Sequence, residues 1–129
     1  MVSLAVPPDI VILAVEWESR ALLRAQLIEE GFDVAATNTW SMMCPYLTAE
    51  SKPRLAIVDL RDLAHPRELL RDLGVLMKPD RVLVLGASGT VTATELEELQ
   101  FRVVNRPTTI KEIIDTARVI LTSTSFAGA

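Results

Sequence analysis

Short runs of apolar residues alternate along this chain with longer stretches where apolar residues recur every three or four positions. Three runs stand out: residues 10–15 (IVILAV), 55–58 (LAIV) and 82–85 (VLVL). Each is too short for a helix and rich in Val, Ile and Leu, the composition of a strand buried on both faces. Residues 32–36 (FDVAA) and 102–104 (RVV) are weaker strands.

The intervening stretches predict helices. Over 19–30, Leu23 and Leu27 lie four apart, and Gly31 follows where a left-handed cap belongs. Residues 39–48 form a further helix interrupted by Pro45, and 66–73 open with Pro66 at a first helical position. Thr92 and Glu95 have capping-box spacing ahead of Leu96 and Leu99. Thr109 and Glu112 repeat it ahead of Ile113, Ile114, Ala117, Ile120 and Leu121. Residues 122–129 (TSTSFAGA) read as a frayed tail or the start of a linker. The order is βα repeated five times. It predicts a doubly wound α/β domain with a five-stranded parallel sheet, because right-handed crossovers place helices on both faces.

Composition narrows the class. The 129 residues carry 13 Lys+Arg against 17 Asp+Glu, a net charge of −4, and half are hydrophobic. That length fits one domain over 1–129, with a core over 10–121. The chain is too apolar for intrinsic disorder. Without a Lys/Arg block it lacks a nucleic-acid footprint, and it offers no apolar run of the roughly 18 residues that a membrane span needs. Cys44 and His65 each stand alone, which excludes a disulfide framework and a multi-cysteine metal site. A cytoplasmic setting is the expectation.

In a doubly wound sheet, ligands gather at the carboxyl ends of the strands. Those ends nominate Glu16 and Trp17, Asp59, the stretch Gly86 to Ser88, and Arg106 with Pro107. In the strand order 2-1-3-4-5, Glu16, Asp59 and Arg106 converge on one edge.

These residues carry a resemblance. The stretches ILAVEWESRALLRAQLIEEGFDV, PRLAIVDLR, VLVLGAS and VVNRPTTIKEIIDTARVIL, in this order and spacing, resemble the receiver domain of bacterial response regulators. The resemblance implies the flavodoxin-like (βα)5 fold and a role in two-component or phosphorelay signalling, as a module without enzymatic turnover. In that family an acidic pair and an aspartate hold Mg²⁺, and the aspartate accepts a phosphoryl group from a histidine kinase. Such chemistry needs strong positive charge beside the attacking carboxylate.

Position by position, Asp59 matches the phosphoacceptor and Glu16 the first acid. Trp17 stands where a second carboxylate would meet the metal, and Arg106 stands for the lysine. Gly86 replaces the usual hydroxyl residue, with Ser88 two residues on as a substitute. Val103 replaces the switch aromatic, with Phe101 two residues earlier. Together these departures imply an atypical receiver without phosphorylation-driven switching or a bound cofactor. Arg106 would pair with Asp59, and Trp17 reads as a structural plug or a partner contact. The partner would be a histidine kinase, an output protein, or a second copy meeting it through the last strand and helix. Lys111, Asp115 and Arg118 would tune that choice. An alternative is a working receiver in which Glu16 and Asp59 hold Mg²⁺ and Asp59 is phosphorylated. A third is a small nucleotide-binding protein, since VLVLGASGT resembles a glycine-rich phosphate turn. Thr92 where a third glycine belongs, and the turn's place after the fourth strand, weigh against it.

Overall fold

The computed structural model describes residues 6–86 and 91–127. Its elements run β1 (Ile10–Leu13), α1 (Trp17–Glu29), β2 (Val34–Thr37), α2 (Trp40–Thr48), β3 (Leu55–Asp59), α3 (Pro66–Leu76), β4 (Val82–Leu85), α4 (Ala93–Leu99), β5 (Arg102–Val104) and α5 (Ile110–Ala127). A single 3₁₀ turn, Pro79–Arg81, leads into β4. The five strands form one parallel sheet in the order β2-β1-β3-β4-β5.

Strand alternation divides the core in two. Ile10, Ile12 and Ile57 pack with Leu23 and Leu27 of α1 and with Ile113, Ala117 and Leu121 of α5. Val11, Leu13, Val58 and Val84 pack on the other face with Met43, Leu47, Leu70, Leu73 and Leu96. Successive side chains point to opposite faces, and both faces are covered, so β1, β4 and β3 as far as Val58 are continuously apolar rather than alternating. Burying each such side chain contributes about 1.5–3 kcal/mol. That gain sets the sheet and aligns the carboxyl ends of all five strands along one edge.

Element ends depart from expectation for local reasons. The first apolar run outlasts its strand: the Ala14 N–H still donates to the Thr37 carbonyl, but Val15 is exposed. Helix α1 starts at Trp17 because Glu16 caps it, accepting from the backbone N–H groups of Glu18 and Ser19. Glutamate is not among the usual capping types, so the sequence hid this start. The second strand lies at 34–37, after Gly31 ends α1 with φ +99°. Pro45 sits inside α2; it and Ser41 are exposed, so the carbonyl that loses its donor has water available.

The Thr92–Glu95 capping box is complete in both directions. At α5 only half of the second box forms: Thr109 accepts from the Glu112 N–H, while the Glu112 carboxylate accepts from the Thr108 hydroxyl. Finally, the stretch expected as a tail is helical to Ala127. No Gly or Pro interrupts it before Gly128.

Candidate functional site

Alternation along β3 sends Val58 toward α2 and α3, so Asp59 turns to the opposite face, toward α1 and α5. There it is only 3% exposed. A carboxylate this deep must be paired, because desolvation alone would penalise its charged form by several kcal/mol. Two guanidiniums meet it. Arg106, one residue beyond the β5 loop's Asn105, places Nη2 2.6 Å from Asp59 Oδ2. Arg61, in the β3–α3 loop, places Nη2 3.2 Å from the same oxygen. The Arg61 backbone N–H donates to Oδ1 at 3.0 Å. Both carboxylate oxygens are therefore accepting charge-assisted or backbone hydrogen bonds. The Arg106 contact is through one nitrogen, not the two-pronged fork that a guanidinium can offer; Arg61 supplies the second cation instead. The two Nε atoms are buried and without a hydrogen-bond partner. The peptide between Arg106 and Pro107 is cis.

Arg61 also ties the edge together. Its Nη2 donates to Ser19 Oγ at 2.7 Å and lies 3.9 Å from Glu16 Oε1. Glu16 in turn accepts from the Ser19 hydroxyl at 2.5 Å and from the Ser19 N–H at 3.0 Å. These bonds, the hydroxyl first, hold the Glu16 carboxyl below its ordinary pKa. Glu16, Asp59 and Arg106 thus share one edge, with Arg61 and Ser19 completing the cluster. A cleft of about 210 Å³ opens beside it, lined by Ser19, Leu23, Asp59, Arg106 and Thr108 among others.

Several nominated residues behave differently. Trp17 is 65% exposed and plugs nothing; the first position of a surface helix points it to water. A Cβ on Gly86 would lie 2.9 Å from the Asn105 side-chain oxygen, so Asn105 fills the space where a longer residue would extend. Phe101 is buried in the core under α3 and α4, and Val103 is half-buried beside it. Ser88 lies outside the described residues. On α5, Lys111 pairs with Asp115 at 2.8 Å, and Arg118 pairs with Glu30, the C-cap of α1, so Arg118 braces α5 against the end of α1. Among the described residues, no three His, Cys, Asp or Glu side chains cluster as a metal cage.

Arg61 and Ser19 were not nominated by sequence. An arginine two residues past a strand-end aspartate is the one signal that was present. Its reach back across the carboxylate to α1 depends on the loop's path.

The architecture belongs to the doubly wound, flavodoxin-like class. Within it, the chain has the receiver-domain fold of response regulators. A signal receiver domain from Vibrio parahaemolyticus superposes with a TM-score of 0.76 at 17% identity, over 95% of this chain and 96% of that one. A response regulator receiver protein from Sinorhizobium medicae superposes with a TM-score of 0.69 at 15% identity, over 88% and 93%. A structure described as adenylate cyclase from Rhodopirellula baltica is also similar, at 0.69 and 18% identity, over 92% and 93%. No protein-family model matches the sequence, and no curated protein does. No helix among the described residues is long and apolar enough to cross a membrane.

Proposed function

We propose that this domain is a receiver-like signalling module that works by contact with a partner protein, and that phosphorylation of Asp59 no longer drives it. What supports this is the standing occupation of Asp59: both its oxygens accept hydrogen bonds from Arg61 and Arg106. A phosphoryl group or Mg²⁺ would have to displace these standing contacts, and Mg²⁺ needs several oxygens in a near-octahedral cage. Here the remaining acid, Glu16, is turned into the cap of α1, and two cations already crowd the spot. The donor set does not fit Mg²⁺. Gly86 offers no hydroxyl to follow a phosphoryl group, and Val103 no aromatic ring to swing. The partner would be a histidine kinase, an output protein or a second copy meeting β5 and α5.

The test is direct. The protein is incubated with acetyl phosphate and Mg²⁺, and its intact mass is read beside that of Asp59→Asn. An unchanged mass is the expected result. A phosphoryl adduct on the wild type that the variant lacks would overturn the reading and restore a working receiver.

A further inference from the structure

Helix α3 carries both signs of charge, and Glu68 lines a shallow hollow with Arg67 and Arg71. Arg67 and Arg71 flank the cleft toward α4, where Arg67 pairs with Glu95. The acids Glu68 and Asp72, one turn apart, flank a separate groove of about 420 Å³ that runs toward the start of α2. Asp62, in the loop after β3, adds a third carboxylate to that groove. Its apolar surface comes from Val15, Trp40, Leu63, Ala64 and Leu69, and His65 lines it as well. No Lys or Arg lines it, and among the described residues none of the three acids has an ion pair. Like charges four apart on a helix are mildly destabilising by themselves. Asp62 adds to the cost by holding φ at +62°, a left-handed conformation.

We infer that this groove docks a partner-protein segment carrying two Lys or Arg residues about one helical turn apart beside a large apolar side chain. Charge complementarity names the occupant. The spacing of Glu68 and Asp72 matches cations at i and i+4 of a helix. The half-buried Trp40 supplies an aromatic face on which such a cation or an apolar side chain can pack. A neutral apolar segment would leave three carboxylates desolvated beside it, which disfavours that occupant. The site lies on the α2–α3 side of the sheet, and its reasoning is independent of the state of Asp59.

The probe is a helical Leu/Lys peptide with lysines one turn apart, and its control is the same peptide with Gln for Lys. Each is titrated into the full chain carrying Trp17→Phe, so that Trp40 is the remaining tryptophan and reports the groove. At about 0.15 M salt the Lys peptide is expected to shift Trp40 emission saturably, and the Gln peptide to bind at least tenfold more weakly. Glu68→Lys with Asp72→Lys should weaken the Lys peptide by about tenfold or more, and Glu68→Gln with Asp72→Asn by less. Both sites are exposed, so far-ultraviolet circular dichroism is expected to show an intact fold. Glu97→Lys with Glu98→Lys on α4 should leave binding unchanged. Absence of saturable binding, equal binding of the Gln peptide, or equal weakening by the α4 reversals would each overturn the inference.

Discussion

Two carboxylate–guanidinium clusters stand at opposite extremes of this molecule. Asp59 is 3% exposed, with Arg61 and Arg106 both on one of its oxygens. Glu95 meets a single cation, Arg67, whose side chain is 58% exposed, on the surface between α3 and α4. The chemistry is the same, but the environment is not. In the core, a charge left alone cannot be rescued by water, so the cluster is a requirement of the fold once Asp59 is placed there. At the surface, water replaces either partner at little cost, and the pair only supplements the capping box that Glu95 already makes with Thr92.

The sharpest way to break this contrast is to strip the buried cluster of its cations. Arg61→Ala with Arg106→Ala should destabilise the domain by about 3 kcal/mol, the lower end of the range for an abandoned buried charge, since both guanidiniums are partly exposed. The loss is read from the urea midpoint at constant m-value. Adding Asp59→Asn to that background should recover much of it, because the amide carries no charge to strand. Each single arginine variant should cost well under half of the double, as the other guanidinium remains on the carboxylate. Additive singles and no recovery with Asp59→Asn would show that the arginines contribute packing and not charge compensation.

A smaller effect is expected at the edge of the same site. Gly86→Thr places its Cβ against the Asn105 side-chain oxygen. That atom ends an exposed side chain that can give way, so the cost should be about 0.5–1 kcal/mol. Asn105→Ala in the same chain should remove most of it. A larger loss unrelieved by Asn105→Ala would place the conflict in the β4–β5 backbone, where the Gly86 N–H donates to the Val104 carbonyl.

The contrast also explains what could be read from sequence. Strands β3 and β4 were legible because burial on both faces forces unbroken apolar runs such as LAIV and VLVL. So was the helix start at Thr92, which uses an ordinary cap. The convergence of Glu16, Asp59 and Arg106 on one edge followed from strand order alone. The rest depended on side-chain reach. Glu16 reads as half of an acidic pair until its oxygens are seen on the N–H groups of Glu18 and Ser19. Arg61 reads as an ordinary loop cation until its guanidinium is seen bridging Asp59 and Ser19. Trp17, expected as a plug or a partner contact, is no plug, and its exposure is set by where the helix begins. None of these follows from spacing or period.

The mildest prediction concerns the surface pair and its pH dependence. The Arg67 side-chain hydrogen bond, followed by the Thr92 N–H, pulls the Glu95 carboxyl down from an ordinary 4.5 to about 2 in the folded protein. A carboxyl whose folded pKa lies below its unfolded value releases its proton more readily when folded. Its contribution is therefore complete above about 4.5 and is lost as pH falls from there through about 2. Glu95→Gln should accordingly be less stable than the wild type at neutral pH, with the gap closing as pH falls across that window. Arg67→Ala should close the same gap in part, and its effect should shrink with added salt because both partners face solvent. The buried cluster supplies the contrast within the same titration series: the penalty of Arg61→Ala with Arg106→Ala should barely respond to salt, since screening ions do not reach a carboxylate that is 3% exposed. Equal salt sensitivity of the two variants would mean that Asp59 is far more open to water in solution than its burial implies.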